Sequence, residues 1–158
     1  MKKYICVMLF PLTILFAACG GESAVLKVGF DEMVSAVSAA SDNENAMMEA
    51  GANYIKGSMK IDVEEYEACV VMVNAFGANI DEFGIFKTAN AAKAKELAEV
   101  LTAYFKFRDD IWMPEYMPHE YPKLQNAEYM IKGEYVIYAV MSEDNKATAF
   151  SAFEDCFR

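Results

Sequence analysis

Between positions 89 and 112 the apolar residues Ala94, Leu97, Leu101, Tyr104 and Ile111 fall on one side of a helical repeat. Lys93, Lys95, Glu96, Glu99 and Lys106 fall on the other. This spacing predicts a long amphipathic helix, the most strongly patterned element of the chain. A helix with one apolar stripe must cover that stripe with another layer. Strand-like segments on either side can supply it. Cys69, Val70, Val71, Met72 and Val73 form a continuous apolar run of strand length, and Gly77, Ala78 and Asn79 make a turn. Phe83, Ile85 and Lys87 then alternate with Glu82, Gly84 and Phe86. After the helix, residues 127–132 and 135–142 flank Gly133-Glu134, a tight hairpin turn.

The remaining segments complete the outline. Phe30, Met33, Val34 and Val37 recur at helical spacing near the start, and residues 41–44 end that helix with polar turn formers. Residues 45–60 are ambiguous, with Met47, Met48, Tyr54 and Ile55 able to form a helical turn before Gly57. Asp62 is placed to cap a short turn through Val63, Glu64 and Glu65. Pro114, Pro118 and Pro122, three of the four prolines, end the long helix in an aromatic-rich connection. Ala147, Phe150, Phe153 and Phe157 predict a closing helix. The expected fold is α+β: a two-layer sandwich in which a four-stranded antiparallel sheet, built from two hairpins, packs against the long helix and the two terminal helices. Strand order is left open.

The amino terminus has a separate grammar. Lys2 and Lys3 precede an uncharged apolar run over residues 4–16, and Ala17 and Ala18 lead to Cys19. That is the plan of a secretory signal. The run is interrupted by Pro11 and is shorter than the roughly 20 residues a spanning helix needs. Phe16 fits badly at the third position before an ordinary cleavage site, whereas LFAAC resembles a lipobox, with Leu15 one place earlier than usual. In lipobox precursors the cysteine sulfur receives a diacylglyceryl group and becomes the new N-terminus. The expected organisation is a signal peptide over 1–18, a lipidated Cys19 with a tether over 19–25, and one domain over 26–158. The expected address is the outer face of the cytoplasmic membrane.

Charge narrows the partners. The precursor carries −10; without Lys2 and Lys3, 12 basic groups face 24 acidic ones, a net −12. Such a surface is repelled by nucleic acid and by anionic lipid headgroups, so membrane attachment falls to the lipid on Cys19.

Four segments carry a family resemblance: DEFGIFK at 81–87, the long helix ending in Arg108, Tyr116-Met117-Pro118, and KGEYVIYAVMSED at 132–144. Over about residues 30–157 the chain resembles a family of bacterial lipoproteins known as domain of unknown function forty-three fifty-eight. The resemblance implies an envelope location, typically in bacteria with a single membrane, and brings no catalytic residue.

No catalytic constellation emerges from the residues themselves. His119 is the only histidine and sits among prolines beside Glu120, which speaks for a loop residue. The acidic pairs Glu64-Glu65, Asp81-Glu82, Asp109-Asp110 and Glu154-Asp155 suit solvated faces and helix ends as well as carboxylate catalysis. Asp109, Asp110 and Glu115 have oxygen ligands for a hard cation but no loop spacing to organise them. The eleven methionines are scattered like core fillers. No glycine-rich phosphate loop occurs, and neither a metal nor a cofactor is expected. Cys69 and Cys156 are compatible with an export-dependent disulfide or with two separate thiols. Trp112, Tyr116 and Tyr121, with Tyr54 and Tyr66 as neighbours to consider, are the best candidates for a surface that binds an envelope protein, peptide or glycan; sealing of the core edge is the alternative. A non-enzymatic binding or accessory domain is the leading expectation. A carboxylate-based envelope hydrolase and a structural spacer or assembly subunit are the others.

Overall fold

Residue alternation along the central strands decides the architecture. The computed structural model describes residues 25–41, 46–113 and 115–157. Its elements are α1 (Phe30–Ala40), β1 (Met47–Glu49), α2 (Ala52–Tyr54), β2 (Ala68–Asn74), β3 (Glu82–Lys87), α3 (Ala91–Asp110), α4 (Tyr121–Gln125), β4 (Glu128–Lys132), β5 (Tyr135–Val140) and α5 (Glu143–Asp155). α2 runs into a wide helical turn over Ile55–Met59, and Asp62 opens a short turn over Val63–Glu65 by accepting a hydrogen bond from the Glu64 N–H, as its sequence position suggests.

The sheet is antiparallel, in the order β1-β2-β3-β5-β4. Both expected hairpins form, β2 with β3 and β4 with β5, and they join through β3 and β5 with Ile85 opposite Ile137. Gly133 turns the second hairpin with a φ of 62°, which its missing Cβ permits.

Two features correct the expected four-stranded, two-layer sandwich. The fifth strand, β1, pairs Met48 with Val73 on the open edge of β2. Three residues are too few to show a periodicity, so pairing with a neighbour decides their conformation. The second correction is larger: both faces of the sheet are covered. Val71, Phe86, Val136 and Tyr138 pack beneath Leu97 and Leu101 of α3. Phe83, Ile85, Ile137 and Ala139, on the opposite face, pack against Met33 and Val37 of α1 and Phe150 and Phe153 of α5. The result is three layers. The reason lies in β5, where all six residues are buried, so neither face is left for water.

Smaller departures follow from helix ends. α3 stops at Asp110, which leaves Ile111 exposed rather than on the buried stripe. On α5, Ala147 is exposed and the neighbouring Lys146 is buried instead. Its Nζ donates to the Asn126 carbonyl at 2.8 Å and pairs with Glu128 and Glu143, each at 3.1 Å. The aliphatic stem packs while the charge stays satisfied. Pro122 lies in the first turn of α4, where a missing N–H costs nothing.

Gly84 lets Tyr138 lie across β3. A Cβ at position 84 would meet Tyr138 Cε1 at 2.4 Å, and the buried ring has no room to retreat. Gly84→Ala is therefore expected to destabilise the fold by about 1–3 kcal/mol, read as a lower denaturant midpoint. A midpoint equal to that of the wild type would contradict this packing.

Candidate functional site

The C-terminal half of α3 carries both the structural centre and a mostly apolar opening beside it. Tyr104 and Arg108, one helical turn apart, reach down to Glu82 at the start of β3. Glu82 is 2% exposed. Its carboxylate accepts hydrogen bonds from Tyr138 Oη at 2.6 Å, Tyr104 Oη at 3.0 Å and Arg108 Nη1 at 3.0 Å. A buried charge is tolerable only with such a set of donors and a counter-ion. Burial, and then the Glu82 charge, push the Tyr104 and Tyr138 phenols well above their ordinary range. Burial works against the Arg108 cation, but Glu82 outweighs it and the guanidinium stays charged. Tyr54, expected only as a possible neighbour, borders this network: burial and Glu82 raise its phenol, and a hydrogen bond with Tyr104 offsets part of the rise.

Arg108 is also the floor of a cleft of about 290 Å³ whose other walls are Ile111, Trp112, Met113, Tyr116 and Met117. The lining contains one cation and no carboxylate. Tyr116 is 72% exposed, Met113 67% and Ile111 60%, and Phe107 lies exposed one turn before Ile111. Concentrated exposed apolar surface of this kind marks an interaction site more often than single scattered residues do.

The three aromatic candidates divide. Trp112 and Tyr121 stack, with ring centroids 5.9 Å apart and an interplanar angle of 10°, and both pack against the core beneath α3. Tyr121 is fixed further by a hydrogen bond to Asp109, which raises its phenol pKa, with burial second. These two rings seal the edge of the core, while the outer side of Trp112 forms a cleft wall with Tyr116. The Trp112 Nε1 is buried and has no hydrogen-bond partner among the described residues. Tyr66 belongs elsewhere, edge-on to Phe86 at 5.2 Å.

A second polar cluster holds the proline-rich connection in place. Lys123 on α4 pairs with Asp81 at 2.8 Å and Glu120 at 2.9 Å, and Glu120 accepts the Ile80 N–H at 2.9 Å. Burial disfavours the Lys123 cation, yet the two carboxylates prevail and raise its pKa. The segment bearing Tyr116 and Met117 is thus tied to the β2–β3 loop. Sequence reading missed this cluster because its partners are some 40 positions apart.

The other candidates stay separate. Cys69 faces α3 and Cys156 faces the α1–α5 layer, so the sheet stands between them. Both are free thiols, raised in pKa by burial, the second of the two arrangements the sequence allows. His119 is exposed in the turn before α4. Asp110 is engaged by Lys106 at 2.8 Å, and among the described residues no group of three or more histidine, cysteine or acidic side chains could hold a metal ion. Cys19 and the whole lipobox lie outside the described residues.

Fold and site together define an α+β domain with a satisfied ionic core beneath a small apolar cleft. The chain belongs to the family described as domain of unknown function DUF4358, whose model matches residues 39–141. The match begins near the end of α1 and stops after β5, inside the broader span suggested by the sequence motifs. Neither a curated protein nor a solved structure matches the chain.

Glu82→Gln would leave the Arg108 cation buried beside a neutral amide. The expected loss is about 3–5 kcal/mol in equilibrium unfolding; a loss below about 1 kcal/mol would show that the pair is not structurally important. Alkaline pH probes the same network. With the phenol pKa of Tyr104 and Tyr138 raised in the folded state, the unfolded chain gives up those protons first as pH passes about 10. Stability is whole below that pH and falls above it, by about 1.4 kcal/mol per pH unit for each phenol. Tyrosinate absorbance from these two residues should appear only with unfolding; its appearance in the folded protein would contradict their burial.

Proposed function

We propose that the chain is an envelope lipoprotein, anchored through Cys19, whose domain binds an apolar or aromatic segment of an envelope protein, peptide or glycan in the cleft at the end of α3. The cleft carries this reading: its walls are Ile111, Trp112, Met113, Tyr116 and Met117, and Arg108 offers one fixed cation at its base. Ligand sites are commonly concave and mostly apolar with few polar groups. The carboxylate-hydrolase alternative needs two acids facing one opening, and this cleft is lined by none. Anchorage is supported by the Lys2-Lys3, apolar run and LFAAC sequence. No described helix is long and apolar enough to cross a membrane. An acyl pair on Cys19 would hold a strongly acidic domain beside a bilayer that its own charge disfavours.

Two experiments address the two halves of the proposal. Cys19→Ser should abolish incorporation of labelled fatty acid and release the protein from the membrane fraction; an unlabelled wild-type protein would rule out the anchor. For the cleft, Tyr116→Ala is the clean variant, because so exposed a side chain should change stability by no more than about 0.5 kcal/mol. Photo-crosslinking from Met113 in native envelopes is expected to capture a component that Tyr116→Ala loses. Trp112 is the only tryptophan, so the same component should shift its fluorescence. Capture that ignores Tyr116 would remove the cleft from consideration.

A further inference from the structure

The sheet has one long free edge, and its sequence is complementary to itself. β4 is the last strand of the order β1-β2-β3-β5-β4, so among the described residues one side of it has no strand neighbour. Its residues are Glu128, Tyr129, Met130, Ile131 and Lys132. The two-residue turn closes with Lys132 opposite Tyr135, followed by Met130 opposite Ile137 and Glu128 opposite Ala139. In a hairpin of this length the closing pair is hydrogen-bonded and the pairs then alternate. Lys132, Met130 and Glu128 therefore direct their backbone groups towards β5. Tyr129 and Ile131 direct theirs outwards. Outside the ladder no backbone hydrogen bond involves either residue among the described residues.

We propose that a second copy of this chain pairs with β4 in antiparallel fashion about a two-fold axis at Met130, joining the two sheets into one. In that register Tyr129 lies opposite Ile131 of the other copy, and the outward N–H and C=O groups of both residues meet in four backbone hydrogen bonds. Met130 faces its own equivalent as a non-hydrogen-bonded pair, the closer of the two pair types. Glu128 then faces Lys132 of the other copy, twice over, so the axis places opposite charges together rather than like ones. Side-chain faces agree as well. Met130 packs on the α1–α5 side, where Glu128 pairs with Lys146, whereas Ile131 packs on the α3 side. Tyr129, 37% exposed, supplies an aromatic ring to set against the β-branched Ile131 of the other copy.

This arrangement is an isologous closed pair, so it ends at two copies and does not template a fibre. Charged residues on an edge ordinarily discourage pairing. Here they do so for parallel or shifted partners and favour this single register, since a slip of two residues puts Glu128 opposite Met130 and leaves both lysines unpaired. An interface of one strand edge belongs to the small, reversible class of contacts.

The test uses the full chain in its membrane fraction with Met130→Cys as the reporter. Mild oxidation is expected to trap a covalent dimer through the close pair at the axis, well above the background given by Glu99→Cys on the exposed side of α3. Adding Lys132→Glu sets two acids against each other and should lower trapping about ten-fold, because symmetry makes each substitution act twice. Adding Glu128→Lys to that variant should restore it. The second change cannot act through Lys146, which it deprives of a partner, so restoration isolates the contact between copies. In unsubstituted protein, slow amide exchange at Tyr129 and Ile131 gives an independent reading that needs no variant. Trapping no faster than from position 99, trapping indifferent to charge reversal, or freely exchanging amides at 129 and 131 would each overturn the pairing.

Discussion

One buried carboxylate links three elements through its side chain. Glu82 begins β3, accepts from Tyr138 on β5, and accepts from Tyr104 and Arg108 on α3. Apolar burial supplies most of the driving force, but it is not directional. Leu97 and Leu101 rest on Val71, Phe86, Val136 and Tyr138, contacts that by themselves leave α3 freer to shift along its axis than a directional bond does. The ionic contact removes that freedom, since any shift would leave a charge buried without its partner. Gly84 is the condition for this arrangement: only without a Cβ there does the Tyr138 ring cross β3 to reach Glu82.

The cleft inherits its shape from that point. Arg108 meets Glu82 on its inner side and floors the opening on its outer side. Trp112, four residues on, closes one wall and is braced by Tyr121. Lys123, Glu120 and Asp81 tie the connection bearing Tyr116 and Met117 to the β2–β3 loop. Adjacent acids thus have different tasks, with Glu82 locating the helix and Asp81 locating the connection. The exposed apolar walls rest on a rigid base, which limits the ordering cost of binding.

Much of this fold was legible in the sequence, and the illegible part has a consistent cause. Both hairpins, the long helix and the terminal helices follow from periodicity and turn chemistry, which are local. The fully apolar YVIYAV of β5 also signalled cover on both faces, though a two-layer sandwich was expected from it. β1 was hidden by its brevity, and the choice between a Cys69–Cys156 disulfide and two separate thiols stayed open because proximity across a sheet depends on which face each residue takes. At the site, Trp112, Tyr116 and Tyr121 were identifiable by clustering, but their division into sealing and cleft-lining rings was not. Arg108 and Glu82 gave no local sign, since an Arg near a helix end and an acid beside a strand are commonplace on surfaces. Their pairing is visible only once β3 and α3 are laid together.

The central claim is that Glu82 and Arg108 act as a unit. A double-mutant cycle with Glu82→Leu and Arg108→Met, followed by equilibrium denaturation, measures that directly. Each single substitution leaves a buried charge or its donors stranded, whereas the double substitution removes both charges, so it should cost less than the two single losses added together. The expected coupling is about 1.5–3 kcal/mol. Additive losses, with coupling within about 0.5 kcal/mol of zero, would contradict the account and leave apolar packing alone to place α3.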